Sequence, residues 1–288
     1  MKKGLVLEGG AMRGIYTAGV LDVFMEHDLT FDGVIGVSAG AIHGCSFVSG
    51  QHGRSIRYYL KYMRDPRFMS FRSLLTTGDL VGTQFCYHDI PEKLDVFDYD
   101  AFEKSKTKFY VVATNLLTGR AEYVRLDNMK DISWMQASAS MPLVSHPVQI
   151  GGKRYLDGGV ADSIPVQAFR KMGYEKNIVV LTRPEEYRKK ASRMNAVKIV
   201  YKEYPAFVRA MQSRYRRYNQ TLEELEELEK QGQILILRPS RDLGIGRMEK
   251  RPDKVRSLYN LGREDAEAKI KQVQRFLREG RRDRNGSI

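Results

Sequence analysis

The chain has 288 residues and a mass of 33.1 kDa, enough for one large domain or two small ones, and its 42% hydrophobic content is ordinary for a globular protein. No uncharged apolar stretch approaches the roughly 18 residues of a membrane-spanning helix, and two cysteines exclude a disulfide framework or a cysteine metal cluster. The net charge of +13 favours an anionic partner, whether lipid headgroups, nucleic acid or an acidic protein.

Apolar runs of strand length alternate with helical segments along the chain. The predicted elements are a strand within 3–10, a helix at 18–27, a strand within 31–38, a helix from 39, paired strands at 108–119 and 121–127, a strand at 177–184, charged helices over 185–231, a strand at 233–240 and a closing helix at 252–282. Because the apolar runs are continuous, they indicate a mainly parallel sheet covered on both faces. We predict an α/β three-layer sandwich, with a core part at 1–182 and a helical, basic part at 183–288 in the same domain. One strand of the second part, at about 233–238, returns to the sheet.

A serine stands between small residues where the second strand ends. Gly36-Val37-Ser38-Ala39-Gly40 fits the G-x-S-x-G pattern of a nucleophile elbow, in which a tight strand-to-helix turn raises one hydroxyl above the sheet. Small neighbours are needed because the central residue takes strained backbone angles, and the helix N-terminus favours developing negative charge. We predict that Ser38 is a nucleophile; the alternative is a glycine-rich turn that happens to contain serine.

A nucleophilic serine needs a base, and the histidines are poorly placed to provide one. None of the five histidines lies beyond residue 146, whereas an α/β hydrolase carries its histidine last of the three triad residues. His43 is the one that lies near the elbow. A carboxylate is the other candidate, since Asp157 follows a short apolar run and precedes Gly158 and Gly159. Asp-Gly is also a common hairpin turn.

The segment that follows the first strand is rich in glycine and opens a helix. Its residues are Gly9, Gly10, Ala11, Met12, Arg13 and Gly14. It does not fit a nucleotide-binding loop, because Ala11 interrupts G-x-G-x-x-G and no Gly-Lys-Ser/Thr follows. If the first strand lies beside the second, the N–H groups of this loop point at the space above Ser38 and can hold an oxyanion. Arg13 is available to orient the loop or to meet a phosphate.

Three stretches together resemble the patatin-like phospholipases. They are GGAMRG at 9–14, GVSAG at 36–40 and DGG at 157–159, and ASASMPLVSHPV at 137–148 is similar to the family's segment before the aspartate. The similarity spans about residues 4–182. Ala11 departs from the family pattern, in which glycine is common, and alanine fits there if its backbone angle is ordinary.

The resemblance implies a patatin-like sandwich with a catalytic dyad of Ser38 and Asp157 and no histidine. Ser38 would attack an ester carbonyl, Asp157 would take its proton, and the loop at 9–14 would hold the oxyanion. Hydrolysis would run through an acyl-enzyme without a metal or another cofactor. The implied activity is that of a lipid acyl hydrolase, of the phospholipase A or lysophospholipase kind.

The basic residues are concentrated in the second half of the chain. Residues 1–159 hold 18 basic and 17 acidic side chains, and residues 160–288 hold 30 and 18. We therefore expect the basic half to make peripheral contact with an anionic membrane, although a solvated basic surface is equally compatible with these numbers. Three groups are candidates for that contact: Arg183, Arg188, Lys189 and Lys190; Arg209, Arg214, Arg216 and Arg217; and Arg247, Lys250 and Arg251.

Partners and location follow from the same features. The apolar run before Glu8 is only four residues long, shorter than the roughly 7–15 of an export signal, so we predict a cytoplasmic protein that is soluble or lies on a membrane surface. A lipid or acyl-ester substrate is expected, and nucleic acid is not. Two alternatives stay open: a general soluble esterase or thioesterase, and a non-catalytic binder of anionic lipid or nucleic acid.

Overall fold

A computed structural model describes residues 1–130 and 132–278 of the chain. The strands are β1 (Lys3–Leu7), β2 (Gly33–Val37), β3 (Lys108–Asn115), β4 (Ala121–Leu126), β5 (Val148–Ile150), β6 (Lys153–Asp157), β7 (Lys176–Val180) and β8 (Ile234–Leu237). The α-helices are α1 (Ile15–Glu26), α2 (Ala39–Val48), α3 (Arg54–Tyr62), α4 (Phe71–Thr77), α5 (Tyr99–Lys104), α6 (Ser133–Ala139), α7 (Val166–Lys171), α8 (Asn195–Val200), α9 (Pro205–Lys230) and α10 (Pro252–Arg278). A π-helical segment covers Phe85–Leu94, and 3₁₀ turns cover Ala11–Gly14 and Gly158–Val160.

The strands form one mixed sheet that is parallel through its centre. Hydrogen-bonded neighbours run β5-β6-β3-β2-β1-β7-β8, and β4 also pairs with β3. The pairs from β3 across β2, β1 and β7 to β8 are parallel, whereas β4, β5 and β6 are attached by antiparallel pairing. The first strand lies beside the second, as predicted. Because β1, β2 and β7 point the same way, the loops that follow them meet at one edge of the sheet.

Alternating side chains of the central strands bury a separate core on each face of the sheet. On one face, Leu5 and Leu7 of β1 belong to a core with α1, α2, α3 and α10. On the other face, Val6 belongs to a core with α7 and α9, in which the leucines at 222, 225 and 228 are buried. The predicted fold class, a three-layer α/β sandwich with a mainly parallel sheet and a helical C-terminal part, is confirmed.

The C-terminal part contributes to both layers and to the sheet. β8 pairs with β7 in parallel, and α9 covers one face. On the other face α10 packs closely along α1, because Gly19 of α1 faces the Tyr259 carbonyl and Gly262 of α10 faces the Tyr16 carbonyl; a Cβ at either glycine would collide with that oxygen.

Several predicted boundaries differ from the structure. α1 begins at Ile15 rather than at 18, and residues 185–194, predicted to be helical, form a loop that is fixed by bonds between the Lys189 backbone and the Asn219 side chain of α9. The closing helix begins at 252 as predicted, and its last predicted residues, 279–282, lie outside the described residues. The helical segments between 54 and 104 were not predicted, and each of them has ten residues or fewer.

Candidate active site

Ser38 occupies a strained turn between β2 and α2. Its backbone has φ 54° and ψ −122°, and such angles cost a residue with a side chain on the order of 1–3 kcal/mol. Two glycines let α2 approach closely enough to hold the turn. A Cβ on Gly36 would stand 2.5 Å from the Ala41 nitrogen, and one on Gly40 would stand 2.8 Å from the Glu8 carbonyl oxygen. The turn therefore places the Ser38 side chain at the carboxyl edge of the sheet.

Two strand ends meet beside β3 and bring Asp157 to Ser38. On one edge of β3, β2 pairs in parallel and ends with Val37 opposite Val112. β6 pairs in the antiparallel direction and ends with Asp157 opposite Ala113. β4 occupies the opposite edge of β3 over the same stretch, so β2 and β6 share an edge. The hydroxyl of Ser38 hydrogen-bonds to the Asp157 side chain.

The Asp157 carboxyl group is buried, and burial raises its pKa above the ordinary aspartate value. The nearby Arg214 guanidinium and the hydrogen bond from Ser38 offset part of this shift. The carboxylate also accepts the Gly159 N–H at 2.7 Å, and the chain then enters a 3₁₀ turn rather than a hairpin. At Gly158 a Cβ would collide with the backbone of β3, so this position accepts only glycine.

The glycine loop after β1 lies against the elbow. A Cβ on Gly9 would stand 2.9 Å from the Val37 carbonyl oxygen and 3.1 Å from Cβ of Ser38. Within the described part of the chain, the backbone N–H groups of residues 9–12 have no hydrogen-bond acceptor. Unpaired donors beside a hydroxyl are suited to stabilising an oxyanion.

The backbone at Ala11 is not ordinary, contrary to the condition set for alanine at this position. Its φ is 49°, in the left-handed region that costs an alanine on the order of 1–2 kcal/mol. The neighbouring Met12 is buried, and Gly14 packs against Ala39 and His43, where a Cβ would stand 2.7 Å from the Ala39 Cβ. Arg13 extends from the same turn, and its Nε is buried without a hydrogen-bond partner.

All five histidines make their described contacts away from Ser38. His43 is buried beneath the glycine loop, its Nδ1 lies 3.0 Å from the Ser55 hydroxyl, and burial lowers its pKa to about 3, so it is neutral. The others pair with carboxylates: His27 with Glu267, His52 with Glu26, His88 with Glu92 and His146 with Asp79. No described hydrogen bond joins an imidazole to Ser38 or Asp157.

An apolar pocket opens at Ser38 and runs between α2, α3 and the π-helical segment. Its volume is about 130 Å³, and Ala11, Met12, Ala39 and Ile42 line it near the serine. The deeper walls are mostly aromatic and methionine side chains: Tyr58, Tyr59, Phe68, Met69, Tyr87, Phe97, Met129, Met135 and Met141. Flexible methionines let such a pocket adapt to an alkyl chain.

Three polar residues that were not predicted as site residues hold the two strand ends in place. The Ser138 hydroxyl accepts the Ser38 N–H at 2.9 Å, and the Ser140 carbonyl accepts the Asp157 N–H at 2.8 Å. The Thr114 hydroxyl donates to the Asp157 carbonyl at 2.9 Å. The ASAS segment at 137–140 was a signal for both serines, whereas nothing in the sequence distinguished Thr114.

The three basic groups of the C-terminal half are not uniformly exposed. Arg183, Lys189 and Arg214 are half-buried. The Arg217 guanidinium donates hydrogen bonds to the backbone carbonyls of residues 160, 161 and 210. The remaining members are exposed: Arg188, Lys190, Arg209, Arg216, Arg247, Lys250 and Arg251.

Two kinds of feature are absent from residues 1–130 and 132–278. No three His, Cys, Asp or Glu side chains gather there as a metal site. No helix in these ranges has the length and apolar character needed to cross a membrane.

Comparison with known proteins places these features in a family. Residues 5–170, more than half of the chain, match the family described as patatin-like phospholipase. The chain belongs to the patatin-like phospholipase family. A second match, to a domain of unknown function (DUF6363), covers residues 204–278.

Relatives of this patatin-like chain cover only part of it. The uncharacterized protein YjjU of Escherichia coli K12 is 30% identical over 187 residues, which are 63% of this chain and 52% of that protein. Lysophospholipase NTE1 of Debaryomyces hansenii is 28% identical over 185 residues, 62% of this chain and 11% of that protein. The structure of VipD from Legionella pneumophila matches 94% of this chain and 67% of its own at 13% identity, with a TM-score of 0.45. The matched region thus spans about half of YjjU and about a tenth of NTE1.

Proposed function

We propose that this protein hydrolyses carboxylic esters of lipids with Ser38 as nucleophile and Asp157 as general base. The observation that carries the proposal is the hydrogen bond between a hydroxyl at a strained elbow and a buried carboxylate. This pair lies beside four unpaired N–H groups and at the opening of an apolar pocket. Membership of the patatin-like family supports a serine hydrolase acting on esters.

In the first half of the reaction, the Ser38 oxygen attacks the ester carbonyl carbon and its proton passes to Asp157. The N–H groups of the loop at 9–14 stabilise the negative charge on the carbonyl oxygen, and each such donor is worth roughly 3–4 kcal/mol in comparable sites. The bond to the leaving alcohol then breaks, and Asp157 returns the proton to the departing oxygen. The acyl group stays on Ser38.

In the second half, water takes the place of the alcohol. Asp157 accepts a proton from the water as its oxygen attacks the acyl carbon, and the bond to the Ser38 oxygen breaks. Asp157 gives the proton back to Ser38, which leaves a free fatty acid and the starting enzyme. A raised aspartate pKa suits this double use, because a more basic carboxylate is the better proton acceptor.

The substrate that the site fits is an ester with an alkyl chain. The pocket that begins at Ser38 offers mostly apolar groups to the acyl part, which favours a fatty acyl chain over a short polar one. The name of the yeast relative, lysophospholipase, supports a phospholipid or lysophospholipid substrate. We include in the proposal contact of the exposed basic residues with an anionic membrane, each contributing about 1 kcal/mol near such a surface.

We also propose that the two parts of the chain, 1–182 and 183–288, form one domain. Two contacts support this: β8 completes the sheet beside β7, and α10 packs along α1.

The test is ester hydrolysis and fluorophosphonate labelling of wild type, Ser38→Ala and Ser49→Ala. Ser49 is also buried but lies at the far end of α2, so its variant is the matched control. Ser38→Ala should lose labelling and hydrolysis, and the control should keep both. Labelling of Ser38→Ala at the wild-type level would refute the proposal.

The same preparation separates a lipid hydrolase from a general soluble esterase or thioesterase. The rate of hydrolysis is measured for esters with a series of acyl chain lengths, with and without anionic vesicles. Preference for long chains and a rate increase with vesicles support lipid hydrolysis. A preference for short soluble esters with no effect of vesicles would refute it.

A further inference from the structure

Five basic side chains from three different loops and a helix converge beside the dyad. The cationic cluster, as we call it, consists of Arg13 after β1, Arg183 and Lys189 after β7, Arg214 on α9 and Arg247 before α10. Burial together with neighbouring cations of the cluster lowers the pKa of Arg13 to about 10 and that of Lys189 to about 7. A cavity of about 650 Å³ opens onto Lys189, Arg214 and Arg247.

The guanidinium groups of this cluster have no protein acceptor. Within residues 1–130 and 132–278, none of its four arginines forms an ion pair or a side-chain hydrogen bond, and the Nε atoms of Arg13, Arg183 and Arg214 are buried. Arg183 lies 4.5 Å from the centre of the Tyr187 ring, and Lys189 lies 4.2 Å from that of Tyr218. Since a buried donor without a partner is costly, three such side chains in one place indicate a site that an anion completes.

The nearby carboxylates do not bind the arginines of the cationic cluster. Glu8 is buried, and its oxygens already accept the Thr182 N–H at 2.6 Å, the Thr182 hydroxyl at 3.0 Å and the Tyr218 hydroxyl at 2.7 Å. Asp157 is engaged with Ser38 and Gly159. An exposed side chain, Glu186, lies at the rim of the cavity. Arginines elsewhere in the chain do have such partners: Arg57 pairs with Asp95, Arg188 with Glu226 and Arg263 with Glu26.

The cationic cluster lies next to the reacting groups, and the cavity onto which it opens shares no lining residue with the apolar pocket. A Cβ on Gly159, whose N–H bonds to Asp157, would stand 3.2 Å from Nη2 of Arg214. Arg13 belongs to the same turn as Ala11 and Met12, which line the apolar pocket. The reacting centre therefore lies between an apolar site and a cationic one. A molecule whose ester reaches Ser38 can place its alkyl chain in one and an anionic group in the other.

We propose that the cationic cluster binds the phosphate group of the substrate, and that the protein prefers acyl esters whose phosphate is not linked to a cationic group such as choline. This rests on the proposed function, which it extends to the headgroup. A phosphate monoester offers three oxygens and close to two negative charges, which several convergent guanidinium groups match. A phosphocholine headgroup carries its own cation into the same space, and an acylglycerol offers no charge at all.

The test compares two substrates that differ only in the phosphate, 1-oleoylglycerol 3-phosphate and 1-oleoylglycerol, in neutral detergent micelles. The ratio of their kcat/KM values is measured for wild type and for Lys189→Gln/Arg247→Gln, which changes two loop residues that line the cavity. Lys202→Gln/Arg256→Gln is the matched control, since it removes one exposed lysine and one exposed arginine elsewhere. We expect wild type to favour the phosphorylated ester by about a hundredfold or more, and the cluster variant to lose at least about tenfold of that preference.

Three results would overturn the inference. They are a wild-type ratio near one, an equal loss in the control variant, and a change in the rate on both substrates alike when inorganic phosphate is added. The last would indicate a site for free phosphate rather than for a headgroup.

Failure of the proposed function is recognised separately, by the absence of Ser38-dependent hydrolysis of either substrate. Binding of a phosphate compound then tests the cationic cluster independently of catalysis. Glycerol 3-phosphate should raise the Tm of wild type and of Ser38→Ala, and should have much less effect on the cluster variant. No rise in Tm of either protein would overturn the inference.

Discussion

Asp157→Asn should remove proton transfer from Ser38 while keeping the structure of the candidate site. The amide has the size of the carboxylate and keeps an oxygen for the Gly159 N–H, but it cannot take the proton of Ser38. Loss of a general base typically costs 10²–10⁴-fold in rate, and no described imidazole contacts Ser38 to compensate. We therefore expect kcat to fall by about 10⁴, which corresponds to about 5.5 kcal/mol.

The same substitution should not destabilise the fold. Burial raises the folded-state pKa of Asp157, so the folded protein holds this proton at a pH where the unfolded chain has released it. Stability from this group is accordingly lost as the pH rises through the interval between the ordinary and the raised pKa, and at neutral pH the buried charge is unfavourable. The neutral asparagine removes that cost. Its free energy of unfolding at pH 7 should equal or exceed that of wild type.

The assay combines hydrolysis of a p-nitrophenyl ester with urea unfolding. Asp162→Asn is the control, because Asp162 is half-buried and also has a raised pKa, but it accepts a hydrogen bond from the Tyr123 hydroxyl instead of Ser38. The control should keep its activity. In wild type, kcat/KM should rise with pH. Its inflection should lie above the ordinary aspartate pKa, which is about 3.9. If Asp157→Asn retains more than about a tenth of the activity, the dyad is wrong; if it is less stable than wild type at pH 7, the stated cost of burying this carboxylate is wrong.

Three further changes probe the surroundings of the dyad. Replacing each of the four carboxylate-paired histidines singly by glutamine should leave kcat/KM within about threefold, and a loss of a hundredfold at any of them would indicate a triad. Gly40→Ala places a methyl group against the carbonyl oxygens of Leu7 and Glu8 and should lower the free energy of urea unfolding by about 3 kcal/mol, whereas Gly246→Ala, which meets open space, should change it little. Ile42→Trp fills the apolar pocket, so hydrolysis of 16-carbon esters should fall at least about tenfold relative to 4-carbon esters; an unchanged chain-length profile would place the acyl group elsewhere.

Much of the architecture was readable from local pattern. Continuous apolar runs predicted the parallel core of the sheet, because strands buried on both faces need no polar side. The elbow was predictable for a similar reason: a strained residue at φ 54° tolerates only small neighbours, and Gly36 and Gly40 record that requirement in the sequence. The short helices between 54 and 104 were missed, although α3 buries Tyr58, Tyr59 and Tyr62 at helical spacing; helices this short depend on tertiary packing for their stability.

What the sequence by itself determined is the set of local requirements: where the strands are buried, where the backbone must turn tightly, and which family the motifs resemble. Only the tertiary structure decided which distant residues meet. Ser38 and Asp157 are neighbours because β2 and β6 end against the same edge of β3, at Val112 and Ala113, and a register is a relation between strands that no single segment contains. The cationic cluster is assembled in the same way from four separate segments, and the left-handed backbone at Ala11 follows from how its loop fits the elbow.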